Sequence, residues 1–424
     1  MKITVIGAGS TYTPELVEGF ARRVDLLRVD ELVLHDIDAG RLEVVAGLAR
    51  RILARQDYPG AVRTTTDLAD AIDGATAVLI QLRVGGQWAR LRDETLPGKY
   101  GLLGQETTGP GGFAKALRTV PVVLDIADQV RRRAGESAWI IDFTNPVGIV
   151  TRALLDEGHR ALGLCNSAIG FQRRFARHFG VQPERVELGH AGLNHLTWIR
   201  SVRVDGVERM PEMLSGPDAA DLVKSTGCPL DLVRTLNALP SYYLQYYYDT
   251  DAVVARQRSG EHRAQEVLGI EQQLLRMYAD PALDHKPELL EKRGGAYYSE
   301  AAAALVTSLL TGDGARHYVN LRNNGTITGL PDEAAVEVPA TVDTSGAHAE
   351  PVPDLPPEML GLVQAVTAYE VLAIRAAVTG DREVAARALI AHPLVRQWHL
   401  IPDLLADILD QNAELLPRFA PRSA

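Results

Sequence analysis

Cys165 and His195 are the residues of this chain best suited to hold a borderline divalent metal. Cys165 follows the apolar run Ala161–Leu164, and His195 sits in Gly192-Leu193-Asn194-His195-Leu196-Thr197-Trp198. A thiolate and an imidazole suit such an ion, and two protein ligands leave coordination positions open to a substrate. A single buried cysteine is also commonly a small hydrophobe, and a lone histidine a satisfied core residue, so spacing alone leaves both readings open. A zinc finger is excluded, because Cys228 is the only other cysteine. The string Pro240-Ser241-Tyr242-Tyr243-Leu244-Gln245-Tyr246-Tyr247-Tyr248 concentrates phenols. If Pro240 opens a helix, Tyr243 shares a face with Tyr246 and Tyr247. A phenol, titrating near 10, becomes a usable base only when a cation lowers that value; an aromatic interface stripe is the alternative.

A second chemistry lies at the N-terminus. The run Ile3–Ile6 leads into Gly7-Ala8-Gly9-Ser10-Thr11-Tyr12, and a helix is expected from Pro14. Glycines there let the chain turn tightly and bring backbone N–H groups to a pyrophosphate at a helix N-terminus. Tyr12 replaces the third glycine of the dinucleotide fingerprint, so the motif is incomplete. Asp36 ends the next apolar run, a little beyond the usual spacing of about 20 residues, where a carboxylate accepts from a ribose 2′-OH and disfavours a 2′-phosphate. The cofactor read from these residues is NAD. Three further polar strings end apolar runs or lead into helices: Gln81-Leu82-Arg83, Gly104 to Phe113, and Asp142-Phe143-Thr144-Asn145-Pro146. Each alone could be a turn; together with Cys165 they aim at one crevice.

The elements that must position these groups follow from patterning. Strands are expected at Ile3–Ile6, Glu31–His35, Val78–Leu82, Ala138–Phe143 and Ala161–Leu164, and helices at Pro14–Arg23, Arg41–Gln56 and Ala114–Arg133. That alternation predicts a doubly wound, mostly parallel α/β sheet. The segment from Gly85 to Gly112, dense in glycine and proline, reads as one long functional loop. After Cys165 the pattern changes to antiparallel stretches at 185–190 and 197–204, then helices at Leu230–Leu239, Arg263–Asp280 and Pro357–Val378. A Pro-rich connector, Glu350–Pro357, precedes the last helices. The expected division is a Rossmann-like NAD-binding domain over 1–165 and an α+β domain over 166–424 for substrate, metal and oligomerisation.

Composition narrows the class. The 424 residues carry 44 Lys and Arg against 54 Asp and Glu, a net charge of −10, with no basic cluster interleaved with aromatics; a nucleic-acid partner is not expected. No uninterrupted apolar run reaches the roughly 20 residues of a membrane span, so no membrane role is expected. Two cysteines make no disulfide framework, which fits a reducing, cytoplasmic setting.

Read in order, the strings resemble glycoside hydrolase family 4, the NAD- and manganese-dependent glycosidases, and are most similar to its 6-phospho-β-glucosidases. The resemblance runs through Gly7-Ala8-Gly9-Ser10, Tyr12-Thr13-Pro14-Glu15-Leu16, Gln105–Gly112, Thr144-Asn145-Pro146, Gly163-Leu164-Cys165-Asn166, Gly192-Leu193-Asn194-His195, Tyr243-Leu244-Gln245-Tyr246-Tyr247, Arg293-Gly294-Gly295 and 320–325. It implies a lactate/malate dehydrogenase-like architecture and a metal, Mn2+ or another divalent ion, on Cys165 and His195. It further implies Tyr243 as the base (Tyr242 stands beside it), Asn145 on substrate hydroxyls, and Arg83 and Arg263 on a sugar 6-phosphate. The resemblance makes Asn166 similar to the phospho-β-glucosidase type, although Ser167-Ala168 follow where members of that type often continue Val-Pro. The implied reaction oxidises C3, removes the C2 proton, eliminates the C1–O bond, adds water and returns the hydride; this family departs from the usual two-carboxylate mechanism. A small phosphorylated sugar is the expected ligand, and a homodimer or homotetramer the expected assembly. The competing readings are a lactate/malate-type 2-hydroxyacid dehydrogenase, which needs no metal and accumulates NADH, a family member acting on unphosphorylated glycosides, and a silent NAD-binding regulator.

Overall fold

The computed structural model describes residues 1–260, 262–294 and 297–420. Strands β1 (Lys2–Ile6), β2 (Glu31–His35), β3 (Ala61–Thr65), β4 (Ala77–Ile80), β5 (Trp139–Asp142) and β6 (Ala161–Leu164) pair in parallel in the order 3-2-1-4-5-6. This is the doubly wound dinucleotide-binding order. β4, β5 and β6 are buried along their whole length, because helices cover both faces of the sheet. β3 was not anticipated: Ala-Val-Arg-Thr-Thr is a half-exposed edge strand without a continuous apolar run. Seven strands follow: β7 (Val186–Leu193), β8 (Leu196–Val204), β9 (Val207–Glu208), β10 (Leu239–Pro240), β11 (Ala315–Arg322), β12 (Ala335–Asp343) and β13 (Gly346–Ala349). They extend the same sheet antiparallel beyond β6 in the order 11-12-7-8-10, with β13 on β12 and β9 on β8. Residues on either side of position 165 therefore share one sheet.

The loop expected from Gly85 to Gly112 is instead largely helical. A helix spans Gly86–Thr95, and another begins at Gly109 and runs to Arg133. The first escaped periodicity because its buried face is polar: Gln87, Asp93 and Glu94 point inward. Asp93 is clamped by Arg118 at 2.7 and 2.9 Å, and Arg118 also donates to Asn412 at 2.8 Å, tying this helix to the C-terminal segment. The helix expected over Leu230–Leu239 ends at Leu236, where Asn237 adopts the left-handed conformation and the chain enters β10. Pro240 thus ends a strand, and the tyrosines form a 3₁₀ turn, Tyr242–Leu244, followed by one α turn, Gln245–Tyr248. The Pro357–Thr379 helix is long and apolar enough to cross a membrane by length and composition, although polar residues such as Gln364 and Glu370 interrupt its apolar run. Here it packs on the Gly109–Arg133 and Arg382–Ala391 helices and buries Met359, Val363, Ala373 and Ala376.

The strand order reverses between β1 and β4, and ligands of open α/β sheets bind in the crevice at such a point, beyond the strands' carboxyl ends. The Gly7–Gly9 turn leaves β1 there. Arg83 follows β4, which stops at Ile80, two residues short of the expected end; Asn145 follows β5 and Cys165 follows β6.

Candidate functional site

A cavity of about 1490 Å³ opens along that crevice. Gly7, Gly9, Ser10, Asp36, Arg83, Asn145, Asn166, Tyr243 and Arg263 all line it. Gly7 has φ +83, and a Cβ there would lie 2.9 Å from the Gln81 carbonyl oxygen. At Gly9 a Cβ would lie 2.7 Å from Asp36 Oδ2, which accepts the Gly9 N–H at 2.8 Å. Asp36 therefore shapes the turn as well as facing the cavity. Arg41 donates to the Gly9 carbonyl at 2.5 Å and pairs with Glu271, which also accepts from Arg293 and Gln87. Tyr12, in place of the third glycine, lies under the Arg293 guanidinium, 4.4 Å from the ring centre. Thr11 does not reach the cavity: it is fully buried and its carbonyl accepts from the Tyr278 hydroxyl at 2.8 Å.

Cys165, His195 and Tyr243 come together from three distant segments. His195 is the second residue of the two-residue turn joining β7 to β8 and has φ 63, a left-handed conformation uncommon outside glycine. Gly192 permits the hairpin, since a Cβ there would lie 2.1 Å from the Leu196 carbonyl oxygen. The His195 ring stacks on Tyr243 with centroids 3.5 Å apart and planes at 7°. Tyr242 makes no such contact; it is half exposed and meets Tyr243 edge-on. The Cys165 thiol has the Tyr298 hydroxyl, the Asn194 side chain and the Ser167 amide as hydrogen-bonding neighbours. Burial, then the Glu337 carboxylate, push this thiol up; burial, then Cys165, push the Tyr243 phenol well above its ordinary value. Burial lowers His195 to about 4, so the imidazole is neutral at pH 7.

The residues fit a bound cation on two counts. Thiol and imidazole form a donor set for a borderline metal, and a positive charge among these groups would lower both raised pKa values. Among the described residues no group of three or more His, Cys, Asp or Glu side chains is placed to hold a metal ion, so substrate or solvent would have to complete the coordination that Cys165 and His195 begin. The glycine turn likewise fits a dinucleotide, because side-chain carbons at Gly7 and Gly9 would fill the space a pyrophosphate approaches.

Several site residues were not anticipated. Glu106 is buried and receives Arg83, Lys115 (2.6 Å) and Arg90 (3.3 Å). Burial alone would raise its carboxyl, but Arg83, Lys115 and Arg90 hold it well below the usual range. Burial and Arg83 lower Lys115 to about 7. Glu337, only 1% exposed on β12, accepts from Asn194 (2.9 Å) and Asn320 (3.3 Å) and meets His190 Nε2 at 2.8 Å. An acid inside Ala334-Ala335-Val336-Glu337-Val338 was the available signal, since such a residue is almost never buried unless paired. Asn145 Oδ1 is buried without a partner beside the cavity. Arg263 opens its helix, donating to the Lys292 carbonyl at 2.8 Å and pairing with Glu266 at 2.5 Å. Gly295 of the Arg293-Gly294-Gly295 string lies outside the described residues.

A dinucleotide-type turn sharing one cavity with Tyr243 and two arginines, with His195 stacked on that tyrosine and Cys165 beside it, both buried outside the cavity lining, defines a dinucleotide-fold protein equipped for more than hydride transfer. The chain belongs to the family 4 glycosyl hydrolases: the family's model matches residues 2–181 and the model of its C-terminal domain matches residues 190–395. It is 41% identical to a probable 6-phospho-beta-glucosidase of Bacillus subtilis, over 99% of this chain and 98% of that one. Among solved structures it is similar to the 6-phospho-beta glucosidase of Thermotoga maritima with NAD and glucose-6-phosphate, at 36% identity and TM-score 0.92, covering 98% of this chain and 99% of that one. A form of that enzyme with manganese, NAD+ and glucose-6-phosphate matches at 35% identity and TM-score 0.90, with the same coverage. Malate dehydrogenase from Salinibacter ruber, at 18% identity and TM-score 0.55 over 90% of this chain and 99% of that one, shares the fold alone. The expected dehydrogenase-like architecture is thereby met, while family membership displaces the 2-hydroxyacid dehydrogenase reading.

Proposed function

We propose that this chain hydrolyses 6-phospho-β-glucosides, using NAD and a divalent metal, manganese by preference. The observation that carries the reading is the single cavity onto which the Gly7–Gly9 turn, Asn145, Asn166, Tyr243, Arg83 and Arg263 all open, in a chain whose full-length relatives bear that activity in their names. Bound NAD and metal would supply reversible oxidation at the sugar and Lewis-acid polarisation of its oxygens. The chain's own residues do the rest. Arg83 and Arg263 neutralise and orient the 6-phosphate, and Asn145 and Asn166 fix sugar hydroxyls. Cys165 and His195 hold the metal, the thiol giving up its proton to do so. Gly7, Gly9, Ser10 and Asp36 seat the nucleotide; Thr11 supports the turn from beneath. Tyr243 Oη takes the proton from C2, and the stacked His195 ring keeps the phenol in place.

The same reading assigns the nucleotide to residues 1–165 and the assembly surface to 166–424, and draws the metal and substrate site from both, with Cys165, Arg83 and Asn145 from the first part and His195, Asn166, Tyr243 and Arg263 from the second. It places the enzyme in the cytoplasm, where a metal thiolate survives, as a homodimer or homotetramer. Both cysteines are free and buried, which supports a reducing compartment. A panel of chromogenic α- and β-glycosides, with and without a 6-phosphate, run with and without NAD+ and Mn2+ under reducing conditions, tests the activity. Preferential turnover of an unphosphorylated or α-linked substrate would reject it. Light scattering on the eluting peak tests the assembly, and a monomer would reject that part.

A further inference from the structure

The loop that carries Glu106 also carries Thr107, whose hydroxyl lies 2.9 Å from His195 Nδ1. The direction of that hydrogen bond follows from its surroundings. The backbone N–H of Thr107 can only donate, and it is bonded to the Gln105 side-chain atom assigned as Oε1. That atom must therefore be the carbonyl oxygen, so the amide orientation is settled by chemistry. The Thr107 hydroxyl donates to the same oxygen at 2.9 Å. Thr107 has one hydroxyl proton, which goes to Gln105. Its lone pairs remain for His195, so Nδ1 must bear the proton. A neutral imidazole protonated at Nδ1 has its free lone pair at Nε2. Stacking on Tyr243 sets the plane of the ring, and Thr107 sets which edge faces which neighbour.

We propose that Thr107, oriented by Gln105, is the positioning residue that fixes His195 as the Nδ1–H tautomer and presents Nε2 as the metal-ligating nitrogen. The inference rests on the reading of His195 as a ligand, and outer partners of ligating histidines govern metal affinity. It also gives the loop leading into the Gly109–Arg133 helix two tasks, since Glu106 engages Arg83 while Thr107 engages His195.

The test is the Kd of Mn2+ for the NAD+-saturated enzyme, read from the electron paramagnetic resonance signal of free Mn2+. Thr107→Val, nearly isosteric but without the hydroxyl, is expected to weaken binding by about 10–100-fold, whereas Thr107→Ser stays within about threefold of the parent. His195→Ala is expected to lose binding. Parent-like affinity in Thr107→Val alongside loss in His195→Ala overturns this proposal and leaves the ligand reading standing. Parent-like affinity in His195→Ala overturns the ligand reading and this proposal with it. Should Thr107→Val fail to fold, nitrogen-15 spectra of the metal-free parent decide: the His195 resonances, assigned by their absence in His195→Ala, are expected to show a protonated Nδ1, and a protonated Nε2 refutes the proposal.

Discussion

Replacing Arg83 by Met should separate phosphate recognition from everything else the site does. Arg83 sits at the carboxyl end of β4 with its side chain 24% exposed, and its fold contact is the ion pair with Glu106. Removing it leaves Glu106 held by Lys115 at 2.6 Å and by Arg90 at 3.3 Å, so no uncompensated buried carboxylate results and the fold should survive. Truncating one partner of a buried, hydrogen-bonded charge pair costs about 2–5 kcal/mol. Partial exposure puts Arg83 at the lower end, about 2–3 kcal/mol, which at 1.4 kcal/mol per tenfold is a ~30–150-fold loss of kcat/KM on a 6-phosphorylated β-glucoside. Arg263 is 39% exposed and its salt bridge is to a half-exposed Glu266, so screening reduces its share. Arg263→Ala should cost about 1–2 kcal/mol, or ~5–30-fold. The assay is kcat/KM for a chromogenic β-glucoside and its 6-phosphate, at saturating NAD+ and Mn2+, with thermal unfolding as the control. The specificity ratio between the two substrates should collapse while activity on the unphosphorylated one holds. If Arg83→Met folds and that ratio moves by less than about threefold, below ~0.7 kcal/mol, the phosphate assignment is wrong.

Tyr243→Phe should lower turnover by about 10²–10⁴-fold, the range for losing a general base, while Mn2+ and NAD+ binding persist; Tyr242→Phe should be mild, and the reverse order in rate or in C2 deuterium exchange would move the base by one residue. Cys165→Ser should lose metal content and activity together, because Ser is a poorer ligand than a thiolate; unchanged Mn2+ content with a near-normal rate would return Cys165 to a packing role. Exhaustive chelation with removal of nucleotide should abolish hydrolysis, and only addition of both should restore it; full turnover without either would refute the cofactor requirement. Burial raises Glu370 to about 8 from 4.5, so between those values the unfolded chain has released a proton that the folded chain keeps, and stability falls as pH rises. Glu370→Gln should therefore gain on the parent in thermal stability from pH 5 to pH 8, by at most ~1.4 kcal/mol per pH unit, and level off above; a constant difference would show that this carboxyl does not titrate with folding.

The amino-acid sequence by itself determined the doubly wound half apart from its edge strand β3, because strands buried on both faces carry apolar runs; Leu32–Leu34 within β2 and Ala161–Leu164 are legible for that reason. It determined the glycine turn in part, since the positive φ at Gly7 is a local demand, whereas the Cβ excluded at Gly9 is excluded by Asp36 at the end of β2. The Gly86–Thr95 helix was not legible, because it buries Gln87, Asp93 and Glu94, and periodicity reads apolar faces. Proximity was not legible either. Cys165, His195 and Tyr243 leave a strand end, a hairpin turn and a 3₁₀ turn, and only the antiparallel continuation of the sheet beyond β6 carries them to one place. That pairing also brings Glu337 behind the cysteine and puts Tyr243 rather than Tyr242 on the His195 ring. Which group faces which is set by strand register and by stacking across long sequence separations, and those are properties of the packed sheet rather than of any segment of the chain.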